Sequence, residues 1–152
     1  MKQYTAQNLL ISPSPCPDDP GYILSITPET AGWELISFQV RKLAAGASWS
    51  FETGENELAL VNLSGRYTVV SDKGTWSGIG GRTSPFEGAA HALYLPRRTA
   101  FTVTVEEAGE FAVTWCPTDE DHGPFLIRPE EVSVSLRGGD HVVGAPGVAG
   151  VA

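Results

Sequence analysis

The chain of 152 residues carries 10 Lys and Arg against 18 Asp and Glu, for a formal net charge of -8. That balance argues against a nucleic-acid partner, whose surface gathers Lys and Arg on one face to displace counterions. With 41% apolar and 18% charged residues, the composition is that of one globular domain with a real core, which excludes a disordered acidic polypeptide. Met1 to Asn8 has no apolar stretch of the signal-peptide type, and no later run is long enough to cross a bilayer. A cytoplasmic protein with no membrane partner is expected.

Glycine (17 residues) and proline (11) are spread along the chain, and the short alternating apolar segments between them are those of strands separated by turns. In chain order, strands are expected at Tyr22 to Ile26, the weakest signal, then Leu35 to Leu43, Ser48 to Thr53, Glu57 to Leu63 and Arg66 to Ser71. His91 to Leu95, Ala100 to Glu106, Glu110 to Cys116 and Val132 to Leu136 follow. Turn signals such as Ala45-Gly46, Ser64-Gly65, Asp72-Lys73-Gly74 and Ala108-Gly109 divide them. Within Leu35 to Leu43, one face takes Leu35, Ser37, Gln39 and Arg41 and the other Ile36, Phe38 and Val40, which reads as a strand with one wet side. Many short strands at this spacing imply an antiparallel sandwich or a closed barrel. Cys16 and Cys116 lie 100 positions apart (116 − 16) without zinc-ligand spacing and read as free thiols. Gly138 to Ala152 holds only Gly, Val, Ala, Pro, Asp140 and His141. It is expected to be a disordered tail behind a single domain over residues 1–137.

Gly46 to Phe51 with Glu57 to Gly65, and His91 to Val103 with its turn at Pro96, resemble the two hairpins of a cupin barrel. Strand count alone leaves a lipocalin-like or immunoglobulin-like fold open. Five further stretches, in order, are Pro28 to Glu34, Thr53 to Val61, Gly80 to Gly88, Ala92 to Pro96 and Leu126 to Val132. Together they resemble the N-terminal half of bacterial 5-deoxyglucuronate isomerase, an enzyme family of myo-inositol catabolism. The resemblance runs from about Tyr4 to about Arg137. It implies an all-β, cupin-like barrel from a two-cupin isomerase that interconverts 5-deoxyglucuronate and 5-dehydro-2-deoxygluconate. It also implies a divalent metal held by histidines of the C-terminal cupin, so that no cofactor belongs to this half. The chain is therefore expected to be a truncated or degenerate member. A homodimer, in which a second copy stands in for the missing barrel, is expected.

The residues agree with a metal-free barrel. A metal-binding cupin places His-any-His five residues after a glycine, then a Glu, and a further His after the proline turn, because a divalent ion needs imidazoles and a carboxylate converging on it. Counted from Gly46, the His-any-His positions hold Glu52, Thr53 and Gly54, and the late histidine is replaced by Phe101. Glu57 matches the carboxylate approximately. Phe101, with Trp49 and Phe51, points to a barrel filled with side chains. Arg82 follows two glycines and could pair with a sugar-acid carboxylate at the barrel mouth, or with Glu57 or Glu87 to pin its loop. His91 could serve as a general base or bind a sugar hydroxyl, or could be a strand-end histidine bonded to backbone, and nothing in the sequence marks a partner that fixes its tautomer. Three functions stand: an inactive structural half, a metal-free module binding a small sugar acid through Arg82, Tyr94 and His91, and a metal-independent isomerase working from His91 and Glu57. Asp119 to Asp121 beside His122 read as a solvated loop.

Overall fold

The computed structural model describes residues 3–14, 16, 18, 19 and 21–135. These residues form two single-turn helices, α1 (Ala6–Leu9) and α2 (Pro28–Ala31), and ten strands. The first five strands are β1 (Tyr22–Ile26), β2 (Ser37–Leu43), β3 (Ser48–Glu52), β4 (Asn56–Asn62) and β5 (Gly65–Ser71). β6 (Gly74–Arg82), β7 (Ala92–Leu95), β8 (Ala100–Glu107), β9 (Gly109–Pro117) and β10 (Phe125–Ile127) complete the set, before a 3-10 turn at Pro129–Glu131. One sheet runs β1-β2-β9-β4-β7-β10 and the other β3-β8-β5-β6. All their pairings are antiparallel.

The expected strands lie within two residues of the observed ones, with three corrections. β6 and β10 form where no strand is expected, and Val132 to Ser135, expected as a strand, lies outside any. Leu136 and the expected tail from Gly138, with His141, fall outside the described residues. Cys16 and Cys116 are both free.

The two sheets face each other across the core. Alternation along β4 turns Leu58 and Leu60 inward to meet Tyr67 and Val69 of β5 and Val103 and Val105 of β8, all buried. Each such aliphatic side chain contributes about 1.5–3 kcal/mol on leaving water. An aromatic cluster fills one part of the interior: Trp49 lies 5.4 Å from Phe51, 5.6 Å from Phe101 and 5.9 Å from Phe111 between ring centroids. Phe51 and Phe101 are cross-strand neighbours on β3 and β8.

β2 reverses the expected arrangement of its faces. The polar side is the buried one, with Ser37 at 8% and Arg41 at 3% exposure. The Arg41 guanidinium lies 4.1 Å from the Trp49 ring centroid and donates to both Asp19 carboxylate oxygens, at 3.1 and 2.6 Å. Those two partners make burial of the cation tolerable. Phe38 and Val40 consequently lie on the outer side of the sheet.

Candidate functional site

Arg82, at the end of β6, and His91, just before β7, line one cavity of about 270 Å³ together with Asn62, Gly80, Glu87 and Pro129. Gly80 is what lets β6 close on β4. Its φ is +113°, and a Cβ there would run into the Gly65 carbonyl oxygen and the Asn62 amide, which leaves no other residue type for the position. The Gly80 N–H donates to His91 Nδ1 at 3.3 Å, so the neutral ring carries its proton on Nε2. Burial holds the His91 pKa below the ordinary imidazole range, with Glu130 opposing and Arg128 and Arg82 adding to the shift. The backbone partner that the sequence does not reveal is thus a glycine N–H eleven positions away (91 − 80).

Arg82 pairs with neither Glu57 nor Glu87. Its guanidinium donates to the carbonyl oxygens of Pro85 (3.3 Å), Gly88 (3.0 Å) and Asn62, so it pins the loop through backbone. Glu87 instead accepts the Thr83 N–H at 3.0 Å, which holds its pKa below the usual carboxylate range. Carbonyl oxygens satisfy hydrogen bonds but leave the cation's charge uncompensated, and Arg82 Nε is buried without a hydrogen-bond partner among the described residues. Asn62, 1% exposed, donates to the Ser64 and Gly65 carbonyls while its Oδ1 is likewise unpartnered. Asn62 is not among the candidates the sequence offers, although an Asn that continues the inward positions Leu58 and Leu60 is the available signal.

Tyr94 and Glu57 belong elsewhere. Both lie on the outer side of the six-stranded sheet, where Glu57 accepts the Tyr94 hydroxyl at 3.0 Å and the Cys116 thiol at 3.5 Å. They border a separate cavity of about 200 Å³ with Ile36, Ala59 and Thr114. Burial first, and then the Glu57 carboxylate, push the Tyr94 pKa up to about 12 and raise that of Cys116. Because Asn62 N–H bonds the His91 carbonyl, Glu57 stands five residues (62 − 57) from His91 along β4, about 16 Å. The trio Arg82, Tyr94 and His91 is therefore split, and so is the pair His91 and Glu57.

The positions that would carry metal ligands do not converge. Glu52 is exposed, Thr53 is buried with its hydroxyl donating to the Pro96 carbonyl, and Gly54 has no side chain to offer. Phe101 is packed at 3% exposure, and Glu57 is turned to the outer side. Among the described residues no group of three or more His, Cys, Asp or Glu is arranged to hold a metal ion. In the acidic loop, Asp121 is engaged by Arg97 at 2.6 and 2.8 Å, and His122 lies 3.1 Å from Glu120.

A family model described as the KduI/IolB family matches residues 9–143. A 5-deoxy-glucuronate isomerase of Geobacillus kaustophilus (strain HTA426) is 34% identical over 134 residues, covering 88% of this chain and 49% of the relative. That of Geobacillus thermodenitrificans (strain NG80-2) is 32% identical, with 83% and 46% covered. The crystal structure of an IolB-like protein from Salmonella typhimurium LT2 superposes with a TM-score of 0.76 at 38% identity, over 85% of this chain and 49% of that one. The chain spans about half the length of the curated relatives it matches.

Proposed function

The chain belongs to the KduI/IolB family, and we propose that it is the structural, N-terminal half of a 5-deoxyglucuronate isomerase, without the metal-dependent site. The reaction moves a proton between adjacent carbons of a sugar acid while a metal polarises the carbonyl. The observation that carries this reading is the packed aromatic interior, with Phe101 where a metal-binding barrel would place a histidine. A barrel filled in this way has no room for substrate. By kinship with the isomerases its setting is inositol catabolism in the cytoplasm, and no helix among the described residues is long and apolar enough to cross a membrane. The test is conversion of 5-deoxyglucuronate by the purified chain, with and without added divalent metal. No turnover is expected in either case. Metal-free turnover abolished by His91→Ala overturns the reading in favour of an isomerase built on His91.

A second reading, a metal-free module that binds a sugar acid, is favoured by one observation. The cavity beside Arg82 combines a cation uncompensated by any ion pair among the described residues with a His91 Nε2–H left free by the Gly80 bond. A carboxylate would accept from both groups. Titration with glucuronate, followed through the His91 ring resonances, tests it, and unchanged resonances at millimolar ligand reject it.

A further inference from the structure

The cavity beside Tyr94 is made by the register of three strands. On β4, Glu57 and Ala59 point outward, and their partners on β9 are Cys116 and Thr114. Ala59 also pairs with Tyr94 of β7. A single methyl group thus stands between a tyrosine and a threonine, and the dip it leaves is the cavity of about 200 Å³, which Ile36 also borders. Phe125, the partner of Tyr94 on β10, stacks on its ring at 4.9 Å between centroids. The side of the ring toward Ala59 has no such cover and borders the cavity.

Glu57 is a carboxylate without a cation. None of the ion pairs among the described residues includes it. Its two oxygens accept only from neutral donors, the Tyr94 hydroxyl at 3.0 Å and the Cys116 thiol at 3.5 Å. A carboxylate has about four acceptor positions, so about two remain. The Thr114 hydroxyl donates its proton to the Ser37 carbonyl at 3.1 Å, and toward a ligand its oxygen can only accept. The polar groups bordering the cavity therefore call for a donor. His122, edge-on to Tyr94 at 6.4 Å, is engaged by Glu120 and not by Glu57. Burial leads the rise in the Tyr94 pKa, and Glu57, then Cys116 and Glu120, add to it, so the acidic groups around the ring reinforce one another.

A metal ion is the poorer occupant. Glu57 supplies one carboxylate, and burial and Glu57 raise the Cys116 pKa, which keeps the thiol protonated. No group of three or more His, Cys, Asp or Glu among the described residues is arranged to hold metal. An anion is repelled by the same carboxylate. An apolar body does fit, since cavities of about 150 Å³ lined by aliphatic side chains hold benzene.

We propose that this cavity binds a small primary amine as its ammonium ion, with N–H groups donated to the Glu57 carboxylate and a ring-sized apolar body over Ala59 and Ile36. The bonds to Glu57 are of the charge-assisted kind, and the Tyr94 ring adds an aromatic wall to which a cation is attracted. The net charge of -8 favours the approach of a cation. This site is separate from the Arg82 cavity, and each can be filled with the other empty.

Titration of the full chain with benzylamine, read from the backbone amide resonances of Ala59, Thr114 and Tyr94, is the test. Saturable shifts with a dissociation constant of about 1 mM are expected for a ligand of about eight non-hydrogen atoms. Benzyl alcohol, the same ring without the charge, is expected to bind at least about tenfold more weakly, and benzoate to leave the three resonances unmoved. Glu57→Gln, which keeps the side chain's shape, is expected to weaken benzylamine at least about tenfold, and Ala59→Leu, which fills the cavity, to abolish binding. The comparison of the three ligands on the wild-type chain needs no variant and decides the matter if either substitution disturbs folding. Resonances unmoved by benzylamine at about 20 mM, or benzyl alcohol or benzoate binding as tightly as benzylamine, would overturn the proposal. So would a folded Glu57→Gln or Ala59→Leu chain that binds benzylamine like the wild type.

Discussion

Phe101→Ala tests whether the barrel is full. Phe101 is 3% exposed, its ring centroid lies 5.6 Å from Trp49 and 6.1 Å from Phe51, and its strand neighbour across β3 is Phe51 itself. Removing the ring forfeits its transfer free energy, two ring contacts worth about 0.5–1.5 kcal/mol each, and leaves a void that a β-barrel wall cannot collapse into. The sum for a buried Phe→Ala change is about 4 kcal/mol, against about 1 kcal/mol for Phe101→Leu, which keeps most of the volume. At about 3 °C per kcal/mol for a domain of this size, the alanine variant should melt about 12 °C lower. Urea denaturation followed by the fluorescence of the four tryptophans measures the loss directly. A cost below about 1 kcal/mol would mean that Phe101 lines open space, and the packed-barrel argument against a substrate cavity would fall with it.

Asp19→Asn should cost about 2 kcal/mol, below the roughly 3–5 kcal/mol of a fully buried ion pair because the Asp19 side chain is 42% exposed to screening water, whereas Asp19→Asn with Arg41→Met should regain most of it. Arg41 holds the Asp19 pKa below its ordinary value. The pair's contribution is thus fully present above the unfolded aspartate pKa and lost as pH falls through the lower folded one, a slope that Asp19→Asn should remove from a melting series taken below pH 4 (about the unfolded aspartate value). Gly80→Ala, at φ +113° against the Gly65 carbonyl, should destabilise by at least about 2 kcal/mol and shift the His91 Nδ1 resonance; an unchanged resonance would remove Gly80 as the tautomer's anchor. The His91 pKa is depressed, so stability should fall as pH drops below the unfolded imidazole value of about 6.5, where the unfolded chain takes up the proton first. His91→Gln should flatten that segment of the profile, and an unaltered profile contradicts the burial of the ring.

Where alternation and turn signals agree, as in β4 and β8, the strands were readable because period-2 burial is the physics of a sheet face. β6 escaped because Gly78, Gly80 and Gly81 look like breakers, yet all three take positive φ inside a bulged strand. β10 is three residues long and gives no period to detect. The faces of β2 are reversed for a different reason: the burial of Arg41 depends on Asp19, 22 positions away, and on Trp49, and no local pattern reports a distant partner. Arg82, His91, Tyr94 and Glu57 were legible as chemistry-bearing residues. Their division between two cavities was not, because it turns on which side of β4 and β7 each faces.

The sheet margins constrain how this chain can meet other chains. A growing fibril needs a straight strand with free N–H and C=O groups at its border. β6 is interrupted by register shifts and left-handed glycines, β1 carries a shift between Tyr22 and Leu24, and β10 offers three residues. Three of the four borders are therefore poor templates for an incoming strand. A chain with these borders resists the open-ended polymer that a flat, regular border would seed.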